Sequence, residues 1–169
     1  MSEFKEVSLS ELTLDPFRLI GKEWMLISAG NREKYNTMTA SWGGLGVMWG
    51  KDVSVIVVRP QRYTLEFIDR EDCYSLCFFE KEHHDALSYC GSHSGRDVDK
   101  VAETGLTPCF DGDVPYFGEA KLVLLCKKLY RQPLDPACFI DRECDTKWYP
   151  EKDYHFALVG EIVKVLVKK

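Results

Sequence analysis

The chain has 169 residues, 45% hydrophobic and 29% charged, which is the balance of one ordinary globular domain able to bury a core without staples. Its formal net charge of -5 excludes a general electrostatic pull toward nucleic acid or an anionic membrane, so any bound anion must be held by a local basic cluster. No apolar run approaches the roughly 18 to 20 residues of a membrane span, and the seven cysteines are odd in number and scattered. With no export-signal pattern in Met-Ser-Glu-Phe-Lys-Glu, the expectation is a cytoplasmic protein with reduced thiols.

No repeat or low-complexity tract divides the chain, so a single domain over 1–169 is expected, with its core at about 20–165. Residues up to about Ile20 read as an arm or edge strand. Residues 24–29 are apolar between Gly21 and Gly30 and predict a strand. Residues 36–42 have an extended pattern, and Gly43, Gly44 and Gly46 behind them predict a bend, a bulge or a close backbone approach. Residues 53–58, four valines and an isoleucine in six positions, predict a buried strand that ends at Pro60.

A short helix is predicted at 63–69, and a strand at 73–79 with Tyr74, Leu76 and Phe78 on one face. Short helices follow at 83–89 and 98–103, the second with Asp97 as its N-cap and Gly105 as its stop. Two long strands close the chain, 120–130 and 155–167, and Gly160 breaks the alternation of the second as a bulge or bend does. Many short strands with few helices argue a small closed or half-closed β-barrel with helical decoration.

Three stretches carry chemistry. Asn36, Thr37, Met38, Thr39, Ala40, Ser41 and Trp42 place small hydroxyls and backbone N–H groups beside an aromatic wall, which suits a flat heterocycle; an ordinary edge strand with a glycine turn fits the same residues. Arg59-Pro60-Gln61-Arg62-Tyr63-Thr64 lies where a strand hands over to a helix. Unpaired N–H groups and two fork-shaped arginines there suit phosphate, although both arginines could equally pair with Glu66 or Asp69. In Ser94-Gly95-Arg96-Asp97 with Lys100, the spacing lets Arg96 and Lys100 face one way. The competing reading is a solvated helix start with an Asp97–Lys100 pair. Two basic clusters and a ring-binding segment together fit a nucleotide-like cofactor, while the dinucleotide fingerprint and the P-loop are both absent.

In order and spacing, these stretches resemble the flavin-reductase-like FMN-binding split-barrel family, in particular its flavoredoxin-like branch. The matching text is 36–44, then 58–64, then Ser94-Gly95-Arg96-Asp97 with Lys100, and finally Tyr154-His155-Phe156 with Val159-Gly160-Glu161-Ile162. The resemblance implies a six-stranded Greek-key split barrel, a homodimer with FMN at the interface, and NAD(P)H as the electron donor. It also implies that Asn36 to Trp42 line the isoalloxazine ring. Arg59, Arg62, Tyr63 and Thr64 would serve the ribityl chain and phosphate, and Ser94, Gly95, Arg96 and Lys100 would complete a phosphate cradle. No acid–base triad is expected, because the flavin carries the redox chemistry. His155, at the start of the last strand, and Tyr149 are the candidates beside a nicotinamide slot; a strand-end histidine in solvent is the plain alternative. Residues 132–150 have no firm match and are expected to cover part of the site.

Other readings remain. A flavoredoxin-type electron carrier or a non-enzymatic flavin binder would use the same contacts without its own NAD(P)H turnover. A barrel that has lost its cofactor is a third possibility. Cys73 and Cys77 are about 13 Å apart by strand rise, too far for a disulfide. His83-His84 and Cys90 with His93 lack the second tight pair that a structural metal requires, so no metal is expected.

Overall fold

The computed structural model describes residues 4–169; residues 1–3, part of the stretch read for an export signal, lie outside it. In chain order the elements are β1 (Phe4–Val7), α1 (Pro16–Gly21), β2 (Met25–Gly30), β3 (Tyr35–Ala40), β4 (Gly43–Met48), β5 (Lys51–Val58), α2 (Tyr63–Arg70) and β6 (Cys73–Phe78). Then come α3 (His84–Ser92), α4 (Lys100–Thr104), β7 (Pro108–Asp111), β8 (Val114–Phe117), β9 (Leu122–Pro133), α5 (Arg142–Trp148) and β10 (Phe156–Lys168).

One antiparallel sheet runs in the order β3-β2-β6-β9-β10-β5-β4, with β1 added along β10, and β7 and β8 form a separate hairpin. The path therefore counts seven strands where six were expected. The glycine-rich stretch after Trp42 is itself strand β4, paired with β5 from Gly43↔Ile56 to Met48↔Lys51. The anticipated close approach is present within it. Gly43 has φ 135°, and a methyl there would overlap the Val55 carbonyl.

β10 bends because its register against β9 shifts at Val159/Gly160 and again at Ile162/Lys164. Before the bend it pairs with β5 and β9; after it, with β1 and β9. Gly160 is required at the corner, since a Cβ would strike the phenol of Tyr74. That phenol is fully buried and shares a 2.8 Å hydrogen bond with Ser54 Oγ.

Both faces of the sheet's centre are covered. On one face Met25, Ile27, Ile56, Tyr74, Leu76, Phe78, Leu124 and Leu158 pack with Leu65, Phe67 and Ile68 of α2. On the other, Leu26, Cys77, Val123 and Leu125 pack under Leu87 and Cys90 of α3 and Phe117 of β8. This double cover is why β2 and the first half of β9 are buried at every position instead of alternating. Each large apolar side chain so buried contributes about 1.5–3 kcal/mol.

Helix boundaries differ from the sequence expectation in one informative place. Asp99, not Asp97, caps α4 by accepting from Val101 N and Ala102 N, and Gly105 ends it in the left-handed conformation. Residues 94–98 are therefore a turn outside the helix, closed by Asp97 N and Val98 N donating to Ser94 O. Among the described residues no helix is long and apolar enough to cross a membrane. Nor do three or more His, Cys, Asp or Glu side chains gather as a metal site there, and Cys73, Cys77, Cys90, Cys126, Cys138 and Cys144 are free thiols.

Candidate functional site

Two cavities of about 330 and 270 Å3 share Met38, Arg59 and Arg62 as a common wall and form one cleft. β3 supplies its floor, the start of α2 one end, and the segment from α5 to β10 the other. The larger cavity is lined by Met38, Thr39, Ala40, Ser41, Trp42, Val57, Trp148 and His155 besides the arginines. Its character is aromatic: the Trp42 ring lies 4.9 Å from Trp148, edge-on, and 5.3 Å from His155.

The smaller cavity is cationic. Around it stand Asn36, Tyr63, Thr64, Ser94, Gly95 and Lys100 with Arg59 and Arg62, and no Asp or Glu is among its lining residues. Asn36 Nδ2 donates to Thr64 Oγ1 at 2.9 Å, tying β3 to the first turn of α2. Gly95 fits against that pair only because it lacks a side chain; a methyl would overlap the Asn36 amide. Arg62, the N-cap of α2, puts no side chain over the helix end.

The four basic residues differ in what they already hold. Arg62 donates to Gly91 O at 2.8 Å, has no carboxylate partner among the described residues, and is pushed below its ordinary pKa by burial and then by Arg59. Lys100 is 6% exposed and donates to Thr37 O and Cys90 O, both at 2.7 Å; burial lowers its pKa to about 8. Arg59 is turned toward the far wall. It pairs with Asp153, donates to Trp148 O at 2.9 Å and lies over the Tyr149 ring. Arg96 pairs with Glu66, donates to Gln61 O at 3.2 Å and stacks on Tyr63.

Several sequence expectations are corrected here. Arg96 and Lys100 line one cavity but differ in state: with the helix starting at Lys100, Arg96 stays half-exposed on Glu66 while Lys100 is buried. No Asp97–Lys100 pair forms among the described residues. Thr37 and Arg96 line an adjoining cavity of about 440 Å3, which shares Asn36, Gly95 and Lys100 with the smaller half of the cleft. Thr37 Oγ1 is occupied inside the sheet, accepting from Ser28 Oγ at 2.8 Å and donating to Ile27 O. Asn36, Met38, Thr39, Ala40, Ser41, Trp42, Arg59, Arg62, Tyr63, Thr64, Ser94, Gly95, Lys100 and His155 do come together around the cleft.

His155 is not a solvent-facing strand end. It is 8% exposed, and burial, reinforced by Arg59, lowers its pKa to about 4. Its Nδ1 lies 2.7 Å from Tyr149 Oη. Its carbonyl accepts from Leu134 N at 2.8 Å, so the 135–154 excursion begins and ends at one point. That excursion carries Trp148 and Asp153, which the sequence reading missed. Trp148 signalled itself only as an aromatic in an unmatched region, and Asp153 finds its partner Arg59 94 residues away.

Compared with known proteins, residues 17–169 match the model of the flavin reductase like domain. The chain belongs to that family. Among solved structures it is similar to the flavoredoxin of Desulfovibrio vulgaris (Miyazaki F), with a TM-score of 0.67, 23% identity, and coverage of 98% of this chain and 78% of the other. The flavoredoxin of Methanosarcina acetivorans gives a TM-score of 0.67, 22% identity, and coverage of 87% and 69%. An FMN-binding domain of a flavin reductases-like enzyme from Shewanella baltica OS155 gives 0.70, 18%, 98% and 77%. No curated protein sequence matches significantly.

Proposed function

We propose that the cleft holds FMN and that the protein transfers electrons from NAD(P)H through it to free flavin or another acceptor. The observation that carries this reading is the joining of an acid-free, cation-lined cavity to an aromatic one in a chain of net charge -5. Lys100 is a buried and Arg62 a half-buried cation, both without carboxylate partners among the described residues, and such groups are costly until an anion compensates them. A phosphate monoester supplies that anion. Ser94 and Thr64 hydroxyls and the open end of α2 offer further donors.

FMN, when bound, supplies the hydride and one-electron chemistry that no side chain here can perform. This chain's residues do the rest. Arg62, Lys100, Ser94 and Thr64 hold the phosphate end. Met38, Thr39, Ala40, Ser41 and Trp42, facing Val57, form a slot for a planar ring. Trp148 and His155 bound the space in which a second planar molecule would stack. Asp153 holds Arg59 against the Trp148 carbonyl and so keeps that wall in place.

A homodimer is part of the proposal. Val47, Met48 and Trp49 at the end of β4 are exposed, as are Tyr130 of β9 and Val163 of β10, and the Trp49 and Tyr130 rings are 6.2 Å apart. An apolar face of this kind suits a second copy. Sedimentation is expected to give a dimer; a monomer that retains FMN would remove this part.

The decisive experiment is the visible spectrum of the protein reconstituted with FMN, before and after anaerobic NADH and then NADPH. Flavin bands that bleach with either nucleotide support a reductase. Bands that persist with both favour an electron carrier fed by another protein, as the similarity to two flavoredoxins would suggest. Failure to take up FMN overturns the proposal.

A further inference from the structure

Tyr149 and His155 form a pair whose proton positions follow from their surroundings. The phenol is buried, at 4% exposure, and burial raises its pKa, so it keeps its proton. The phenol proton has one acceptor among the described residues, His155 Nδ1, at 2.7 Å. Leaving a buried hydroxyl proton without an acceptor would cost its full desolvation.

A neutral imidazole whose Nδ1 accepts must carry its proton on Nε2. The groups that act on the ring keep it neutral: the guanidiniums of Arg59 and Arg62 oppose a positive charge, and only Asp153 favours one. Nε2 has no partner among the described residues and is not among the sealed, unpartnered atoms, of which Asp153 Oδ1 is the one found. His155 lines the aromatic cavity, so the free N–H is open to it.

We infer that Tyr149 is a positioning residue: by donating to Nδ1 it fixes His155 as the Nε2–H tautomer, so that the aromatic half of the cleft presents one neutral donor to a carbonyl oxygen of the planar molecule that packs there. This rests on the proposed function for its ligand, a carboxamide-bearing ring such as nicotinamide, but not for the tautomer itself. A cation at the same place would repel a nicotinamidium ring, and an acceptor would repel the carboxamide oxygen. The arrangement selects a neutral oxygen-bearing edge.

The test uses apo-protein with 15N-labelled histidine. Only four histidines are present, and H155Q assigns the relevant signals in long-range 1H–15N spectra. At neutral pH we expect His155 Nδ1 to appear unprotonated and Nε2 protonated. In Y149F the two tautomers should average, with Nδ1 partly protonated. A protonated Nδ1 in the wild type, or an unchanged pure Nε2–H tautomer in Y149F, overturns the inference. If Y149F does not fold, the wild type decides alone: a Tyr149 hydroxyl proton coupled across the bond to Nδ1 supports the inference, and its absence overturns it.

Excess nicotinamide is then added to the same labelled protein loaded with FMN. A shift of the His155 Nε2–H signal supports the ligand assignment and an unmoved signal overturns it. In FMN-loaded protein, Y149F should raise KM for the nicotinamide donor about threefold to tenfold, the range for one neutral hydrogen bond, with FMN affinity unchanged. An unchanged KM also overturns the ligand assignment. Because the tautomer is read without FMN, failure of the chain to bind FMN would count against the proposed function and leave the tautomer assignment of His155 standing.

Discussion

Replacing Arg62 with alanine separates binding from folding more cleanly than any other change in the cleft. In the folded chain its guanidinium holds one carbonyl, Gly91 O, and no carboxylate among the described residues, while burial and Arg59 both press against its charge. A charge-assisted hydrogen bond to a phosphate oxygen is worth about 1.5–3 kcal/mol, so the variant should lose about tenfold to a hundredfold in FMN affinity. Stability of the apo-protein moves much less. The lost bond to Gly91 O is offset by removal of a half-buried, unpaired cation, and the net change should stay within about 1 kcal/mol. Arg96→Ala is the internal comparison. Arg96 is already neutralised by Glu66 and lines only the adjoining cavity, so its loss should weaken FMN binding by less than Arg62→Ala does. Fluorescence titration of FMN into each apo-protein, with thermal melts of both, measures all four quantities. Wild-type FMN affinity in Arg62→Ala, or a larger loss in Arg96→Ala, would refute the phosphate assignment.

Other expectations follow from single contacts. Burial places the Lys100 pKa at about 8 instead of 10.5, so between those values the unfolded chain binds a proton that the folded chain releases. Apo-protein stability should therefore rise as pH rises from about 8 toward 10.5, and FMN affinity should fall through about 8 as the charge is lost; Lys100→Met should flatten both profiles in melts and titrations. Gly95→Ala should drive the Asn36 amide away from Thr64 Oγ1 and lower FMN affinity severalfold, read by the same titration. Gly160→Ala overpacks the Tyr74 phenol at the corner of β10 and should cost about 1–3 kcal/mol in urea unfolding with an unchanged m-value.

The sequence revealed most where local chemistry and period agree. The valine run of β5, the alternation of β6 and the glycine bend of β10 were legible because each is decided by its own residues. The collection of Asn36, Arg62, Thr64 and Lys100 around one cleft was legible only through the resemblance, since nothing in their spacing says that β3 and α2 meet. What escaped was set by tertiary partners. Whether Asp97 or Asp99 caps α4 was settled by the tight turn that Ser94 O accepts, and the shift of the helix start leaves Arg96 half-exposed on Glu66 while Lys100 is buried. β4 was read as a bend because three glycines conceal a strand whose reason for existing is the backbone of β5. The contacts of Arg59 with Asp153 and Trp148 O could not be read, because those partners lie far away along the chain.

The hydrogen bond from Leu134 N to His155 O has a broader meaning for how such a protein diversifies. It makes the 135–154 excursion a cassette, inserted at one fixed point between two strands whose pairing does not depend on its contents. Lengthening or rewriting such a loop costs little conformational entropy beyond the closure that is already in place. The strand pairing is thereby insulated from changes at the aromatic wall, and Arg59, held by Asp153 and the Trp148 carbonyl, is the link from that wall to the cationic cavity. New Trp148, Tyr149 or Asp153 equivalents can be tried one at a time, and the shape of the aromatic half of the cleft can drift while the strands beneath it stay still.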